Sequence, residues 1–89
     1  MTDAAAPSVT VYWRPACPFC MVLRRGLRRS GLPHAEVDIW DDPTGAAVVR
    51  SAANGNETVP TVRVGDRFLV NPSTSEVLAA AAELGIAPA

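Results

Sequence analysis

Two cysteines three residues apart lie between a stretch that alternates like a β-strand and a stretch that repeats like an α-helix. The run Pro15-Ala16-Cys17-Pro18-Phe19-Cys20 directly follows Val9-Thr10-Val11-Tyr12-Trp13. Proline is favoured at the first helical position, so Pro18 predicts that a helix begins there and that Cys17 is its N-cap residue. A side chain at that position faces unpaired backbone N–H groups. The sequence therefore predicts a thiol pair at a strand–helix junction.

The first half of the chain predicts two strands and two helices in alternation. The helix that begins at Pro18 carries apolar residues at helical spacing until Gly31 ends it. His34–Trp40 then alternates as a second strand. Asp42 stands before a proline and predicts the N-cap of a second helix, which is expected to end near Asn54-Gly55.

The second half predicts a β-hairpin and a third helix. Gly65-Asp66 separates two short apolar runs, and such a two-residue link is typical of a tight hairpin turn. Ser73 followed three residues later by Glu76 is the pattern of a capping box. Apolar residues follow at helical spacing, namely Val77, Leu78, Ala81 and Leu84.

The element order βαβαββα predicts an α/β fold. Because the crossover of a βαβ unit is right-handed, the first two strands are expected to be parallel neighbours, and the hairpin extends the sheet beside the first strand. The prediction is a four-stranded mixed sheet of order 2-1-3-4, with helices one and three on one face and helix two on the other. Residues 1–89 form one domain in this interpretation, with residues 1–7 and 86–89 flexible. Cys17 then lies at the sheet edge where ligands bind in open α/β sheets.

The charge and hydropathy of the chain argue against two classes of partner. Its 89 residues carry a formal net charge of −1, which gives no electrostatic reason to expect nucleic acid or an anionic membrane. No window reaches the roughly 18 apolar residues of a membrane span, and residues 1–7 lack the basic region of a signal peptide. We expect a monomer in the cytoplasm.

The position of Cys17 predicts a nucleophilic sulfur. The helix macrodipole stabilises a charge there by about 0.3–1 kcal/mol, which is too little to make the thiolate dominant by itself. Direct hydrogen bonds from the N–H groups of Phe19 and Cys20, with Arg14 nearby, are expected to supply the rest. Cys20 lies one turn inside the helix, so we expect it to stay protonated and to act by resolving a mixed disulfide.

Three other interpretations of the cysteine pair are open at this point. A structural disulfide closing so short a loop stabilises by only about 2 kcal/mol, against about 3 kcal/mol for a fifteen-residue loop. Structural zinc takes four ligands, and the chain offers two thiols and the lone His34. Inert thiols are the third possibility. Redox chemistry is the favoured interpretation.

Several other residues have an ordinary structural interpretation. Trp13 and Trp40 end strands, where aromatic side chains usually pack in the core or at its rim. The arginines of the first helix form a basic face that either is solvated or steers an acidic partner: Arg24, Arg25, Arg28 and Arg29.

The run Thr58-Val59-Pro60-Thr61 is the second candidate site. Proline cannot donate to a β-ladder, so Pro60 is expected at the start of a strand. The predicted hairpin order brings it beside Cys17. A cis bond before Pro60 would leave the N–H and C=O of Val59 free to pair with an extended substrate.

Together these residues resemble the glutaredoxin family of thioredoxin-like proteins. The CPFC run after the first strand, TVP before the third strand and the element order match it over nearly the whole chain. The resemblance implies a thiol–disulfide oxidoreductase that reduces protein or small-molecule mixed disulfides with a low-molecular-weight thiol, without a tightly bound cofactor or metal. By position it implies that Cys17 attacks, that Cys20 resolves and that Pro60 is the family's cis-proline. The implied contacts to the small thiol are Arg14, Phe19, Val59, Pro60, Ser73 and Thr74.

The resemblance also bears on which small thiol is used. Glutathione-dependent members usually have a Gly-Gly pair and an acidic residue where this chain has Asn71-Pro72-Ser73-Thr74. That segment, together with the stretch 54–62, is more similar to mycoredoxins, which work with mycothiol, so mycothiol is expected rather than glutathione. The alternative is an electron carrier of the ribonucleotide-reductase redoxin type, reduced directly by thioredoxin reductase, although the Trp-Ser-Gly-Phe-Arg-Pro signature of that group is missing. A non-catalytic binding module or a cluster-bridging dimer is a third hypothesis.

Overall fold

The computed structural model describes residues 8–88, and it contains the seven elements expected from the sequence. The predicted order βαβαββα is confirmed. The elements are β1 (Val9–Trp13), α1 (Pro18–Ser30), β2 (Ala35–Asp38), α2 (Pro43–Ala52), β3 (Thr61–Val64), β4 (Arg67–Val70) and α3 (Thr74–Glu83). Residues 1–7 and 89, for which flexibility was expected, lie outside the described residues.

The four strands form one mixed sheet in the predicted order β2-β1-β3-β4. β1 is parallel to β2 and antiparallel to β3, and β3 is antiparallel to β4. β2 is shorter than the predicted strand His34–Trp40, because its pairing with β1 ends where Trp13 is opposite Asp38. The carboxyl end of β1 therefore lies in the middle of the sheet edge that carries the two cysteines.

Helices cover both faces of the sheet, as the sequence predicts. Alternate residues of a strand point to opposite faces, so Val9 and Val11 face α1 and α3 while Tyr12 faces α2. The first face packs against α1 and α3 in a core made by Val9, Val11, Leu23, Leu27, Leu32, Val62, Val64, Val77, Ala80 and Ala81. The second is a smaller core of Tyr12, Ile39, Ala46 and Val49. Each fully buried aliphatic side chain contributes about 1.5–3 kcal/mol, so the two cores hold the site edge in place.

The ends of α1 and α2 follow from capping. Gly31 ends α1 in the left-handed conformation, at φ 78°, and donates its N–H to Arg28 O. The Asp42 carboxylate accepts from Gly45 N at the start of α2. α2 ends at Ala52, slightly before the predicted stop, and Asn54 follows in the left-handed region at φ 57°.

The third helix begins with the predicted capping box. Ser73 Oγ accepts from Glu76 N, and the Glu76 carboxylate accepts from Ser73 N. Leu84, the last apolar residue at the predicted helical spacing, follows the end of α3 at Glu83 and is 52% exposed. Ile86 packs against the larger core and donates its N–H to Ala81 O, so the chain is held in place past α3.

A close approach between α1 and α3 fixes the start of α3. Gly26 has no side chain, and a Cβ atom there would overlap Thr74 Oγ1. The missing side chain lets the first turn of α3 lie directly against α1. The segment before α3 is thereby positioned beside the N-terminal half of α1, which begins with the cysteine pair.

Candidate active site

The cysteine pair forms a disulfide at the start of α1. Cys17 and Cys20 are bonded, with their Cα atoms 5.2 Å apart. Cys17 is the N-cap residue in an extended conformation, as predicted, and its Sγ lies 3.2 Å from the Cys20 N–H that donates to it. The expected second donor, Phe19 N–H, makes no such bond among the hydrogen bonds of residues 8–88. Cys17 is 5% exposed and Cys20 is fully buried, so the outer sulfur belongs to Cys17.

Arg14 braces the loop that leads from β1 to the disulfide. Its Nη1 donates to Pro15 O at 2.9 Å and lies 3.4 Å from Ala16 O. Ala16 adopts φ 59°, a left-handed conformation that costs a non-glycine residue about 1 kcal/mol or more. The guanidinium of Arg14 thus holds the two carbonyls on either side of a strained turn, directly before Cys17.

The Val59–Pro60 segment lies against the disulfide. The Val59–Pro60 bond is cis, as predicted. Val59 O lies 3.8 Å from Cys17 Sγ. Two hydrogen bonds hold the segment in place, because the buried Thr61 Oγ1 donates to Thr58 O at 2.7 Å and Asn71 N donates to Pro60 O at 2.7 Å. The backbone of Val59 is therefore fixed beside the outer sulfur.

An open groove of about 840 Å³ lies between α1 and the start of α3, and it is lined by Phe19, which stands between the two cysteines in the chain. Phe19 is 68% exposed. The groove is lined by Phe19, Val22, Leu23, Asn71, Pro72, Ser73, Thr74, Ser75, Glu76 and Leu78. The structure thus brings Phe19, Ser73 and Thr74 together in one groove. It places Arg14 outside that groove.

Two backbone N–H groups at the N-terminus of α3 are satisfied by side chains of the same segment. Ser73 N donates to Glu76 Oε1 at 2.7 Å, and Ser73 Oγ accepts from Glu76 N at 3.1 Å. Ser73 Oγ also lies 3.1 Å from Ser75 Oγ. Ser73 has the capping role that was predicted for it. The groove is therefore lined by the Glu76 carboxylate, whose charge favours an uncharged or cationic ligand group there.

Glu36 organises an ionic cluster that the sequence reasoning missed. It accepts from Arg24, Arg28 and His34 at distances between 2.6 and 3.0 Å. Burial raises the pKa of the Glu36 carboxyl, but the hydrogen bonds from Arg28, His34 and Arg24 overcome it and hold the pKa at about 2. The basic face of α1 is therefore partly neutralised rather than simply solvated. The cluster could have been found from the predicted strand pairing, because Glu36 lies opposite Val11 on the face that α1 covers.

The two tryptophans have different environments. Trp13 is half-buried and lies under the Arg24 guanidinium, 3.6 Å from the ring centroid, so it packs as predicted. Trp40 is 62% exposed, and the expectation of packing at the core or its rim is wrong for it. The Arg14 guanidinium lies 5.6 Å from its ring centroid. Trp40 follows β2 and β2 ends beside β1, so it stands at the same sheet edge as the disulfide.

The geometry defines a site for thiol–disulfide exchange. A sulfur at a helix N-terminus, accepting a backbone N–H, is stabilised as the thiolate that attacks a disulfide. The residues described contain no cluster of three or more His, Cys, Asp or Glu side chains arranged to hold a metal ion. Within residues 8–88, no helix is long and apolar enough to cross a bilayer.

This fold and this site define a thiol–disulfide oxidoreductase with a thioredoxin-like fold. The glutaredoxin family model matches residues 9–69, and the chain belongs to the glutaredoxin family. A protein of Mycobacterium tuberculosis that carries the glutaredoxin name is 38% identical over 73 residues, covering 81% of this chain and 87% of that protein. Mycoredoxin 1 of Corynebacterium glutamicum is 37% identical over 73 residues, covering 81% of this chain and 90% of that protein.

Solved structures show the same fold at lower identity. The glutaredoxin of Archaeoglobus fulgidus superposes with a TM-score of 0.70 at 22% identity, covering 83% of this chain and 85% of that one. The glutaredoxin-like NrdH-redoxin of Escherichia coli gives a TM-score of 0.66 at 22% identity, covering 78% of this chain and 88% of that one. Both likenesses establish the thioredoxin-like fold.

Proposed function

We propose that this protein reduces mixed disulfides between proteins and mycothiol, with Cys17 as the attacking thiol and Cys20 as the resolving thiol. The 37% identity to Mycoredoxin 1 supports mycothiol as the small thiol. The observation that carries this choice is the Ser73–Glu76 capping box that lines the groove.

The reaction consists of two disulfide exchanges. The Cys17 thiolate attacks the mycothiol sulfur of a protein mixed disulfide, forms a Cys17–mycothiol disulfide and releases the protein sulfur, which takes up a proton. A second mycothiol then attacks the mycothiol sulfur, which frees the Cys17 thiolate and leaves oxidised mycothiol. In the other route Cys20 attacks Cys17, releases mycothiol and forms the disulfide seen in the structure.

The charges around the groove favour a thiol without carboxylates. Glutathione carries two carboxylates, whereas the part of mycothiol beyond its cysteine consists of two uncharged, polyhydroxylated rings. At the N-terminus of α3, Glu76 already occupies the Ser73 N–H that a ligand carboxylate would seek, and it repels a second negative charge. Anionic thiols therefore gain little from the Ser73 N–H.

The remaining predicted residues have roles in this scheme that follow from their positions. The cysteine part of the thiol lies along the Val59 backbone beside Pro60, because Val59 O is 3.8 Å from Cys17 Sγ. Phe19 covers the cysteine part of the thiol from α1, and Thr74 contacts the polar groups of that part from the groove. Arg14 acts by holding the loop before Cys17.

The protein works as a cytoplasmic monomer on thiolated or disulfide-bonded proteins, with no tightly bound cofactor.

The test is a side-by-side comparison of reductants on the oxidised protein. Stopped-flow measurement of Cys17–Cys20 reduction is made with mycothiol, with glutathione at the same thiolate concentration, and with thioredoxin reductase plus NADPH. We expect mycothiol to be the fastest of the three at equal concentration. Reduction by the reductase alone would instead identify an electron carrier of the redoxin type and would contradict the proposal.

A further inference from the structure

Trp40 is an exposed aromatic side chain that the disulfide chemistry does not use. It is 62% exposed, although it is held in a fixed turn. Its N–H donates to Asp38 Oδ1 at 2.9 Å, and the preceding Ile39 N–H donates to Trp13 O at 2.9 Å. A large aromatic ring exposed on a fixed backbone, at the sheet edge that carries the reactive sulfur, is available to bind a ligand.

The groups around Trp40 are those that bind hydroxyl-rich molecules. The carboxylates of Asp38, Asp41 and Asp42 flank it in the chain. Asp41 is exposed, whereas Asp38 Oδ1 and Asp42 Oδ1 already accept backbone N–H groups. Carboxylates accept strong hydrogen bonds from hydroxyl groups, and the Arg14 guanidinium beside the ring supplies donors. The face of an aromatic ring carries negative charge density, so it attracts the weakly positive C–H groups of a sugar ring. The same three carboxylates disfavour an anionic ligand.

We propose that Trp40 is the binding platform for the glycosidic rings of the small thiol and that it adds to the preference for such a thiol. This inference rests on the proposed function, in which mycothiol is the reductant. Trp40 and Arg14 thereby form a subsite on the β2 side of Cys17. The Phe19–Thr74 groove lies on the opposite side.

The subsite is within reach of a thiol bound at Cys17. Arg14 connects the two, because its guanidinium lies 5.6 Å from the Trp40 ring centroid and its Nη1 lies 3.4 Å from the carbonyl that precedes Cys17. A thiol made of a cysteine and two rings has roughly the length of an extended tripeptide, about 10 Å. A thiol with its sulfur at Cys17 therefore extends along Arg14 to Trp40.

The experiment compares two thiols that share the same reactive end. Mycothiol and N-acetylcysteine carry the same acetylcysteinyl group, and only mycothiol has the rings. The rate of Cys17–Cys20 reduction is measured for both with the wild type, Trp40→Ala and Trp40→Phe. We expect Trp40→Ala to lower the mycothiol-to-N-acetylcysteine rate ratio about 2- to 10-fold, through a higher half-saturating mycothiol concentration, with the N-acetylcysteine rate unchanged. Trp40→Phe is expected to retain most of the ratio.

The matched control is Phe68→Ala, because Phe68 is also an exposed aromatic but lies on the edge strand β4. It should leave the ratio unchanged. If Trp40→Ala leaves the ratio unchanged, or lowers both rates equally by disturbing Arg14, the inference is overturned. An effect on protein mixed disulfides that is absent with mycothiol would assign Trp40 to polypeptide docking and would also overturn it.

A thiol-free ligand separates this inference from the proposed redox function. Glucosaminyl-inositol is titrated into the oxidised protein, and the two indole N–H signals are followed by NMR. We expect the Trp40 signal to shift and the Trp13 signal, under Arg24, to stay in place. A shift without reduction by mycothiol would contradict the redox proposal alone, whereas reduction by mycothiol without a Trp40 shift would contradict the platform alone.

Discussion

Val59 O lies 3.8 Å from Cys17 Sγ, although 42 residues separate them in the chain. The two residues meet because β1 and β3 are neighbours, with Tyr12 opposite Thr61. The loop after β1 and the segment before β3 therefore leave the sheet at the same edge. The reactive sulfur and the backbone that would guide its substrate are both set by the pairing of two central strands.

The division of labour between the cysteines predicts unequal effects of their substitution. Cys17→Ser is expected to lower the reduction rate of a mycothiol mixed disulfide at least about 1000-fold, because it removes the attacking sulfur. Cys20→Ser should retain much of the activity, since a second small thiol releases the intermediate. Mass spectrometry should then show mycothiol trapped on Cys17. Equal loss of activity in both variants would contradict the single-thiol route.

The buried hydroxyl of Thr61 holds the Val59 segment, so its removal is expected to affect both stability and substrate binding. Thr61→Val removes the 2.7 Å bond to Thr58 O and leaves that carbonyl without its partner, so we expect a loss of about 1–3 kcal/mol in the free energy of unfolding. The half-saturating concentration of mixed disulfide should also rise, because the Val59 backbone is less well held. Thr61→Ser keeps the hydroxyl and is the control. Chemical denaturation and steady-state kinetics of both variants measure the two effects.

The elements and the cysteine site could be predicted from sequence because local rules decide them. Pro18 and the capping residues Asp42 and Ser73 act within one helical turn, so their patterns are visible in the chain. The environments of Glu36 and Trp40 depend on which elements pack together. Glu36 is partly buried because its pairing opposite Val11 places it on the face that α1 covers. Trp40 lies two residues beyond the end of β2 and is 62% exposed.

The carboxylate that lines the groove predicts a change in thiol preference. Glu76→Gln keeps an acceptor for Ser73 N but removes the charge. A surface charge about 4 Å from a ligand carboxylate is worth about 1 kcal/mol, so the mycothiol-to-glutathione rate ratio should fall roughly 5-fold, through faster reaction with glutathione. Glu83→Gln, on the same helix and paired with Arg67, is the matched control. An unchanged ratio in Glu76→Gln would argue against charge as the basis of the preference.

Because of the Glu36 cluster, the free energy of unfolding is expected to fall as the solution becomes acidic. Its folded pKa of about 2 lies below the ordinary value of 4.5, so the cluster stabilises the folded state fully above pH 4.5 and loses this contribution as the pH falls towards 2. Glu36→Gln should lower the free energy of unfolding at pH 7 by about 2 kcal/mol, allowing for screening by solvent. The exposed Arg50–Glu57 pair offers the control, because Glu57→Gln should cost at most about 1 kcal/mol. In urea unfolding series from pH 7 to pH 3, the wild type and Glu36→Gln should converge as the pH falls. A difference that stays constant over that range would show that Glu36 contributes through packing and not through its charge.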